Sequence, residues 1–392
     1  MTVEVADISR GQASGELVRS IDWRGAFWVA SGVPALVLFS IGGIAGTTGK
    51  VAFLVWAVSM LMGFIQSFTY AEIAGLFPNK SGGASIYGAA AWVRYSKLIA
   101  PLSVWCNWLA WTPVLSLGCS IAAAYMLNAI GPIPAADSPA VLAWVQAHAA
   151  SIGPDSPRVV EWLAANGGKT AADAISALLA QDGVAALTPT IRTWTLFTHS
   201  LGPVTFSLNA VFFIGAILML ITFAIQHRGI LGTASVQKYI GLLVIVPMLI
   251  VGVVPIITGQ INWSNYSPLL PLKAASALEL GAWDINGWTL VLGGMFIAAW
   301  STYAFETAIC YTSEFKDPKT DTFKAIFYSG LLCLLLYTLV PFTFQGVLGL
   351  DGMLAGPIVD GSGVAAAMAQ MVGGSGFLVN IMVMLMILAL ML

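Results

Sequence analysis

The sequence predicts an all-α integral membrane protein, and three observations carry that reading. Hydrophobic residues make up 58% of the chain and charged residues only 9%, whereas a soluble domain carries roughly 25% charged residues. The mean hydropathy is +0.86. The apolar residues fall into runs long enough to cross hydrocarbon about 30 Å thick, and the chain length suits about eight such spans. The formal net charge of -2 says nothing about nucleic acid, but with no basic arm and no aromatic–basic interleaving none is expected as a partner.

Taken in order, residues 1–25 are polar and mixed in charge. No short apolar segment with a cleavage site follows them, so they do not read as a signal peptide. The first span is expected over 26–46. Its latter part holds Ser40, Ile41, Gly42, Gly43, Ile44, Ala45 and Gly46, poor material for a helix because glycine loses so much backbone freedom. The second span, 51–73, follows almost at once. Residues 76–97 read as a loop with Pro78, Gly82, Gly83, Arg94 and Lys97, and the third span, 98–130, carries Trp105, Trp108 and Trp111.

Residues 131–200 differ, since no apolar run there is long enough to span. Ser138-Pro139, Ser156-Pro157 and Thr170 followed by Asp173 are helix-start signals, the last in capping-box form. Two or three short amphipathic helices outside the bilayer are expected. The fourth span is expected over 201–226, the fifth over 239–258, the sixth over 287–312, the seventh over 325–348 and the eighth from 376 onward. Between the last two lies a loop of small residues, 349–375. The eighth span is still apolar at Leu392 with no polar tail after it, which suggests a chain cut short.

Cytoplasmic segments carry the excess of Lys and Arg. With the N-terminus inside, Arg10, Arg19, Arg24, Lys80, Arg94, Lys97, Arg228, Lys238, Lys316, Lys319 and Lys324 face the cytoplasm. Only Lys50, Arg158, Lys169, Arg192 and Lys273 face outward. The expectation is a multi-pass protein of the plasma (cytoplasmic) membrane, N-terminus inside and the 131–200 insertion external.

The sixth span holds the most costly feature. Trp300, Ser301, Thr302, Tyr303, Ala304, Phe305 and Glu306 place hydroxyls and a carboxylic acid at membrane depth, where polar groups are expensive unless they face a cavity, a substrate or an ion. Glu306 reads either as a coupling or counter-charge group or as a structural hydrogen-bond acceptor. Segment 40–46 reads either as an unwound binding segment or as a GxxxG-type helix contact through Gly42 and Gly46. Asn107, Trp108 and Trp111 lie on one side of the third span, facing a pathway or packing against neighbours. Glu72 and Glu314, near Lys and Arg at span ends, read as gating groups or as solvated charges. Cys106, Cys119, Cys310 and Cys333 fall in apolar segments and read as packing residues. His148, His199 and His227 are too dispersed for a metal site. Neither a phosphate loop nor a nucleophile–base pair is present, so no cofactor and no enzymatic activity are expected.

Four stretches, in this order, resemble the amino acid–polyamine–organocation (APC) family of secondary transporters. They are Pro34 with the 40–46 glycines, Ala71-Glu72-Ile73 running through Phe77-Pro78 to Ser81-Gly82-Gly83 and Tyr87-Gly88, Gly232 to Gln237, and Ala304-Phe305-Glu306 running to Glu314-Phe315-Lys316-Asp317-Pro318. The resemblance implies a LeuT-like inverted-repeat (5+5) fold with discontinuous first and sixth helices. Residues 26–258 would form the first repeat and 287–392 the start of a second, incomplete one. It implies secondary transport of an amino acid by alternating access, with substrate held between the first and sixth helices. A proton, a sodium ion or an exchanged substrate would supply the energy. Many proton-coupled members carry a lysine within the fifth helix; here that position is Val244. Two other readings stand beside it: a polyamine or organic-cation carrier using Glu306 as counter-charge, and a non-transporting receptor or assembly subunit binding through the insertion.

Overall fold

The first helix starts where Asp22 caps it, its carboxylate accepting from the Gly25 amide at 2.9 Å. The computed structural model describes residues 19–390 except 132, 135, 137, 167, 203, 228, 229, 278, 303, 360 and 362. It gives the backbone alone for 31–33, 230, 231, 233, 304–306, 386, 389 and 390. Helix α1 (Trp23–Val29) passes into a 3₁₀ segment, Ala30–Leu36, that contains Pro34. Proline has no N–H to close an α turn, which accounts for the tighter geometry there. Helix α2 (Val37–Thr48) then runs as regular α-helix through the glycine stretch. The departure from α geometry in the first span thus lies ahead of 40–46 and not within it.

Gly49, at φ +75°, ends α2, and a side chain there would strike Leu272. Helix α3 (Ala52–Leu76) follows and stops at Phe77, the residue before Pro78, where α geometry is disfavoured. The expected loop 76–97 contains a helix, α4 (Ala84–Trp92), entered through Gly82 and Gly83 at positive φ. Helix α5 (Ile99–Ile130) is one continuous run.

The chain divides into two compact units, one within Met1–Ala122 and Ala216–Leu392, the other Ala123–Gly215. In the second unit, α6 (Pro139–Ala147), α7 (Pro157–Ala165), α8 (Ala171–Leu187) and the single turn α9 (Thr190–Thr193) occupy the expected insertion. Ser138 caps α6 through the Val141 amide, and the Thr170–Asp173 capping box closes reciprocally. Val159, Ala174 and Leu178 form a small core between α7 and α8, with Trp162 and Ile175 packed on it.

Residues expected to begin the fourth span instead form a hairpin, β1 (Thr195–Leu201) against β2 (Val204–Asn209). Alternation of apolar and hydroxyl side chains around Gly202-Pro203 is a hairpin signal that a search for long apolar runs overlooks. The apolar helix α10 therefore covers Ala210–Gln226.

The remaining helices belong to the first unit: α11 (Ile230–Ile257), α12 (Ile285–Thr302), α13 (Pro318–Met353), α14 (Gly356–Val359), α15 (Val364–Met371) and α16 (Gly376–Leu390). Between α12 and α13 lies a second 3₁₀ segment, Ala304–Glu314. Among the described residues, five helical stretches are long and apolar enough to cross a membrane: Trp23–Leu76, Ile99–Ile130, Ala234–Ile257, Ile285–Glu314 and Pro318–Met353. The first of them contains both the first and the second expected spans, divided at Gly49. Two shorter apolar helices, Ala210–Gln226 and Gly376–Leu385, accompany them.

Helices α2, α3, α12 and α13 pack around a core of Ile41, Ile44, Trp56, Met60, Ala298, Leu336, Tyr337 and Val340. Lipid tails are as apolar as these side chains, so close backbone approach and dispersion must hold such helices together. Small residues supply the approach. A side chain at Gly63 of α3 would meet the Thr302 carbonyl of α12 at 2.7 Å, and one at Gly294 would strike Thr48.

Candidate functional site

At its C-terminal end α12 loses α geometry, and this places polar groups inside the bundle. Ser301 and Thr302 are both 0% exposed. A helix end leaves its last carbonyls without intrahelical partners, and in a membrane other groups must take them. Two partners are in place. Tyr337 of α13 donates its hydroxyl to the Ser301 carbonyl at 3.2 Å, and Thr302 Oγ1 donates to the Ala299 carbonyl at 3.3 Å. Tyr337 is itself held by Trp56 of α3, edge to face at 5.3 Å between ring centroids.

The Ser301 hydroxyl meets the first helix. Ser40 Oγ lies 3.5 Å from Ser301 Oγ, although 261 positions separate them in sequence. The two 3₁₀ segments, Ala30–Leu36 and Ala304–Glu314, also pack against each other. Two stretches singled out in the sequence are thus neighbours. Trp300 is half-buried next to this point. Tyr303, and the side chains of Ala304, Phe305 and Glu306, lie outside the described residues, so the expectations placed on them carry no geometry here.

The glycines of α2 divide by face. A side chain at Gly42 would run into the Ile358 carbonyl of α14, and one at Gly46 would meet Leu354 at 3.5 Å. The Gly46 carbonyl also accepts from the Ser276 amide at 2.7 Å. Gly42 and Gly46 therefore serve close packing. Gly43 is different, because a side chain there would meet none of the described residues within 4 Å. Its carbonyl accepts from Thr47 Oγ1 at 2.9 Å. Ile41 and Ile44 point into the core. Ser40, Gly43 and Thr47 share one side of α2 at i, i+3 and i+7.

A second recess, about 170 Å³, opens where α5 passes the distal 3₁₀ segment. Asn107 and Trp111 line it with Gly82, Thr307, Cys310 and Tyr311. Trp108 does not join them. It is exposed and packs edge to face with Trp105 at 5.4 Å. Val244 is buried within α11.

Below this recess the chain is tied by backbone. Ser20 and Ile21 amides donate to the Glu314 carbonyl at 2.9 and 3.1 Å, and the Lys316 amide donates back to Ile21 at 2.9 Å. Arg19 reaches Asn79 Oδ1 at 2.7 Å and the Phe315 carbonyl at 3.4 Å. The Ser81 and Ser313 hydroxyls are hydrogen-bonded, and the Gly82 amide donates to Cys310 at 3.0 Å. Glu314 takes part through its carbonyl and is half-buried, while Glu72 is exposed. Beyond the membrane segments, a hydrogen bond from Thr320 holds the Asp317 carboxyl below its ordinary range.

Tyr337, Trp56 and Arg19 were not singled out in the sequence. Tyr337 and Trp56 sit in unbroken apolar runs, where nothing local marks an aromatic residue as functional. Arg19 reads locally as one of several N-terminal charges.

Among the described side chains around Ser40, Gly43, Trp300 and Ser301, none is charged. Hydroxyls and helix-end carbonyls can bind a ligand that carries both an anionic and a cationic group and is neutral overall. The apolar stretches make the chain an integral, multi-pass membrane protein. No curated protein matches the chain. The family model for amino acid permeases matches residues 21–392, and the chain belongs to that family, which moves amino acids across membranes.

Proposed function

We propose that this permease carries a zwitterionic amino acid by alternating access, binding it between the first and sixth spans beside Ser40, Gly43, Trp300 and Ser301. The observation that carries the reading is the approach of Ser40 Oγ to Ser301 Oγ at the point where α12 ceases to be α-helical. The ammonium group takes carbonyls at the end of α12, where the macrodipole is negative. The carboxylate takes the Ser40 and Ser301 hydroxyls, and the substrate side chain occupies the open side of Gly43. Asn107 and Trp111 line the route on the Arg19 side. The Lys and Arg asymmetry supports a cytoplasmic position for that side.

The test is uptake of a labelled amino-acid panel by proteoliposomes, with and without proton and sodium gradients. Saturable uptake of neutral amino acids, reduced by Ser301→Ala, is the expected result. Absence of uptake for every member under every gradient would overturn the proposal. Uptake driven only by internal substrate would identify an exchanger.

A further inference from the structure

The β1–β2 hairpin carries two unlike faces, and most of its side chains are exposed. Cross-strand pairing sets Phe197 against Leu208, His199 against Phe206, and Leu201 against Val204 on one face. On the other, Thr198 pairs with Ser207 and Ser200 with Thr205, with hydroxyl oxygens 3.4 and 3.1 Å apart. The apolar face is open: Leu201 is 69% exposed, Val204 66% and Phe206 48%. A two-stranded hairpin is marginal in water even without such exposure.

Three observations say what covers that face. First, between Arg192 and Arg228 the chain carries no Asp, Glu, Lys or Arg. A water-facing loop of ordinary composition would hold several. Second, the apolar face is continuous with exposed aromatic side chains at the start of α10. Phe206 packs edge to face on Phe212, Phe212 on Phe213, and Phe213 against Trp194. Third, α10 has 17 residues, about 25 Å at 1.5 Å per residue, against roughly 30 Å of hydrocarbon. The boundary of the apolar layer therefore falls at or before Asn209, on the hairpin itself.

We propose that the hairpin is a lipid-binding element that lies flat at the bilayer surface, its Phe197–Phe206 face on the acyl chains and its Thr/Ser face toward water. Depth is limited by the open strand edges. Their unpaired N–H and C=O groups are tolerated at headgroup level, where water reaches them, and not in hydrocarbon. Trp and Tyr concentrate at this level in membrane proteins, and Trp194 stands just before β1.

The test places single cysteines at Phe197 and Phe206, and for comparison at Thr198 and Ser207, in full-length protein carrying Cys106→Ser and Cys310→Ser. The protein is reconstituted into phosphatidylcholine vesicles and labelled with an environment-sensitive fluorophore. Phosphatidylcholine bearing a nitroxide near the top of its acyl chain should quench positions 197 and 206 several-fold more than 198 and 207. A water-soluble quencher should show the reverse order. Equal access of the water-soluble quencher to both faces would overturn the proposal. So would protection of 197 and 206 without lipid quenching but with cross-linking between copies, which would make a second molecule the occupant. Two positions on each face keep the result readable if one variant misfolds.

Discussion

The Tyr337 hydroxyl donates to the Ser301 carbonyl at 3.2 Å, so a side chain of α13 holds the last turn of α12. Tyr337→Phe keeps the ring against Trp56 and removes only the donor. Interhelical hydrogen bonds in membranes average about 0.6 kcal/mol, but a buried carbonyl left orphaned costs about 1–3 kcal/mol. We expect a loss toward the lower end of that range, about 1 kcal/mol. Thermal unfolding of the purified protein in lipid nanodiscs measures it. An unchanged midpoint would show that another group takes the carbonyl.

Adjacent glycines in α2 should respond in opposite ways. Gly42→Ala forces a methyl into the α14 backbone at Ile358, which cannot turn aside as a side chain would. Overpacking of this kind costs about 1–3 kcal/mol. Gly43→Ala meets none of the described residues within 4 Å, and removing a mid-helix glycine is worth about 0.5–1 kcal/mol in favour of the fold. Stability should therefore fall for the first variant and hold or rise for the second. In proteoliposomes, Gly43→Ala should raise KM for uptake. A KM unchanged from wild type would take substrate off the open side of α2.

The second unit should loosen in acid. Arg158 binds Asp182 through two hydrogen bonds, 2.9 and 2.8 Å, joining α7 to α8. The guanidinium holds the Asp182 carboxyl below its ordinary range, and the Thr170 cap does the same for Asp173. A carboxyl depressed in the folded state contributes stability that is complete above its unfolded pKa, about 3.9. That stability is lost as pH falls through the lower folded value. Hydrogen-exchange protection over Pro157–Leu187, taken relative to the intrinsic amide rate at each pH, should be high at neutral pH and fall below about pH 4. Asp182→Asn should remove part of the pH dependence and quicken exchange at neutral pH.

Arg19 joins the N-terminal segment both to Asn79 and to Phe315. Arg19→Ala leaves the Ile21–Phe315 backbone pairing with less support, so the segment should open more often. Cys310, half-buried in the recess near Gly83, reports this. In a Cys106→Ser background, a small maleimide should label Cys310 several-fold faster in the Arg19→Ala variant. Equal rates would show that backbone pairing alone holds the closure.

The hairpin at Thr195–Asn209 shows how far a local reading extends. Its alternation and Gly202 turn were present in the residues, but a run of apolar side chains suits a strand or a span equally well. Length favoured the span, and the charge-free run concealed the change of period. The Ser138 and Thr170 caps behaved otherwise, because a cap satisfies amides two or three residues away and needs nothing distant.

By itself, the sequence determined that this chain belongs in a bilayer, where most of its apolar runs fall and where the short capped helices at Ser138 and Thr170 begin. Composition and short-range hydrogen bonding are properties of neighbouring residues, and they survive without a fold. Only tertiary structure decided that Ser40 lies against Ser301, that Tyr337 holds the last turn of α12, and that Gly42 packs while Gly43 opens. The reason is geometric. Successive residues of a helix point about 100° apart, so the role of each depends on what the rest of the chain brings to that side.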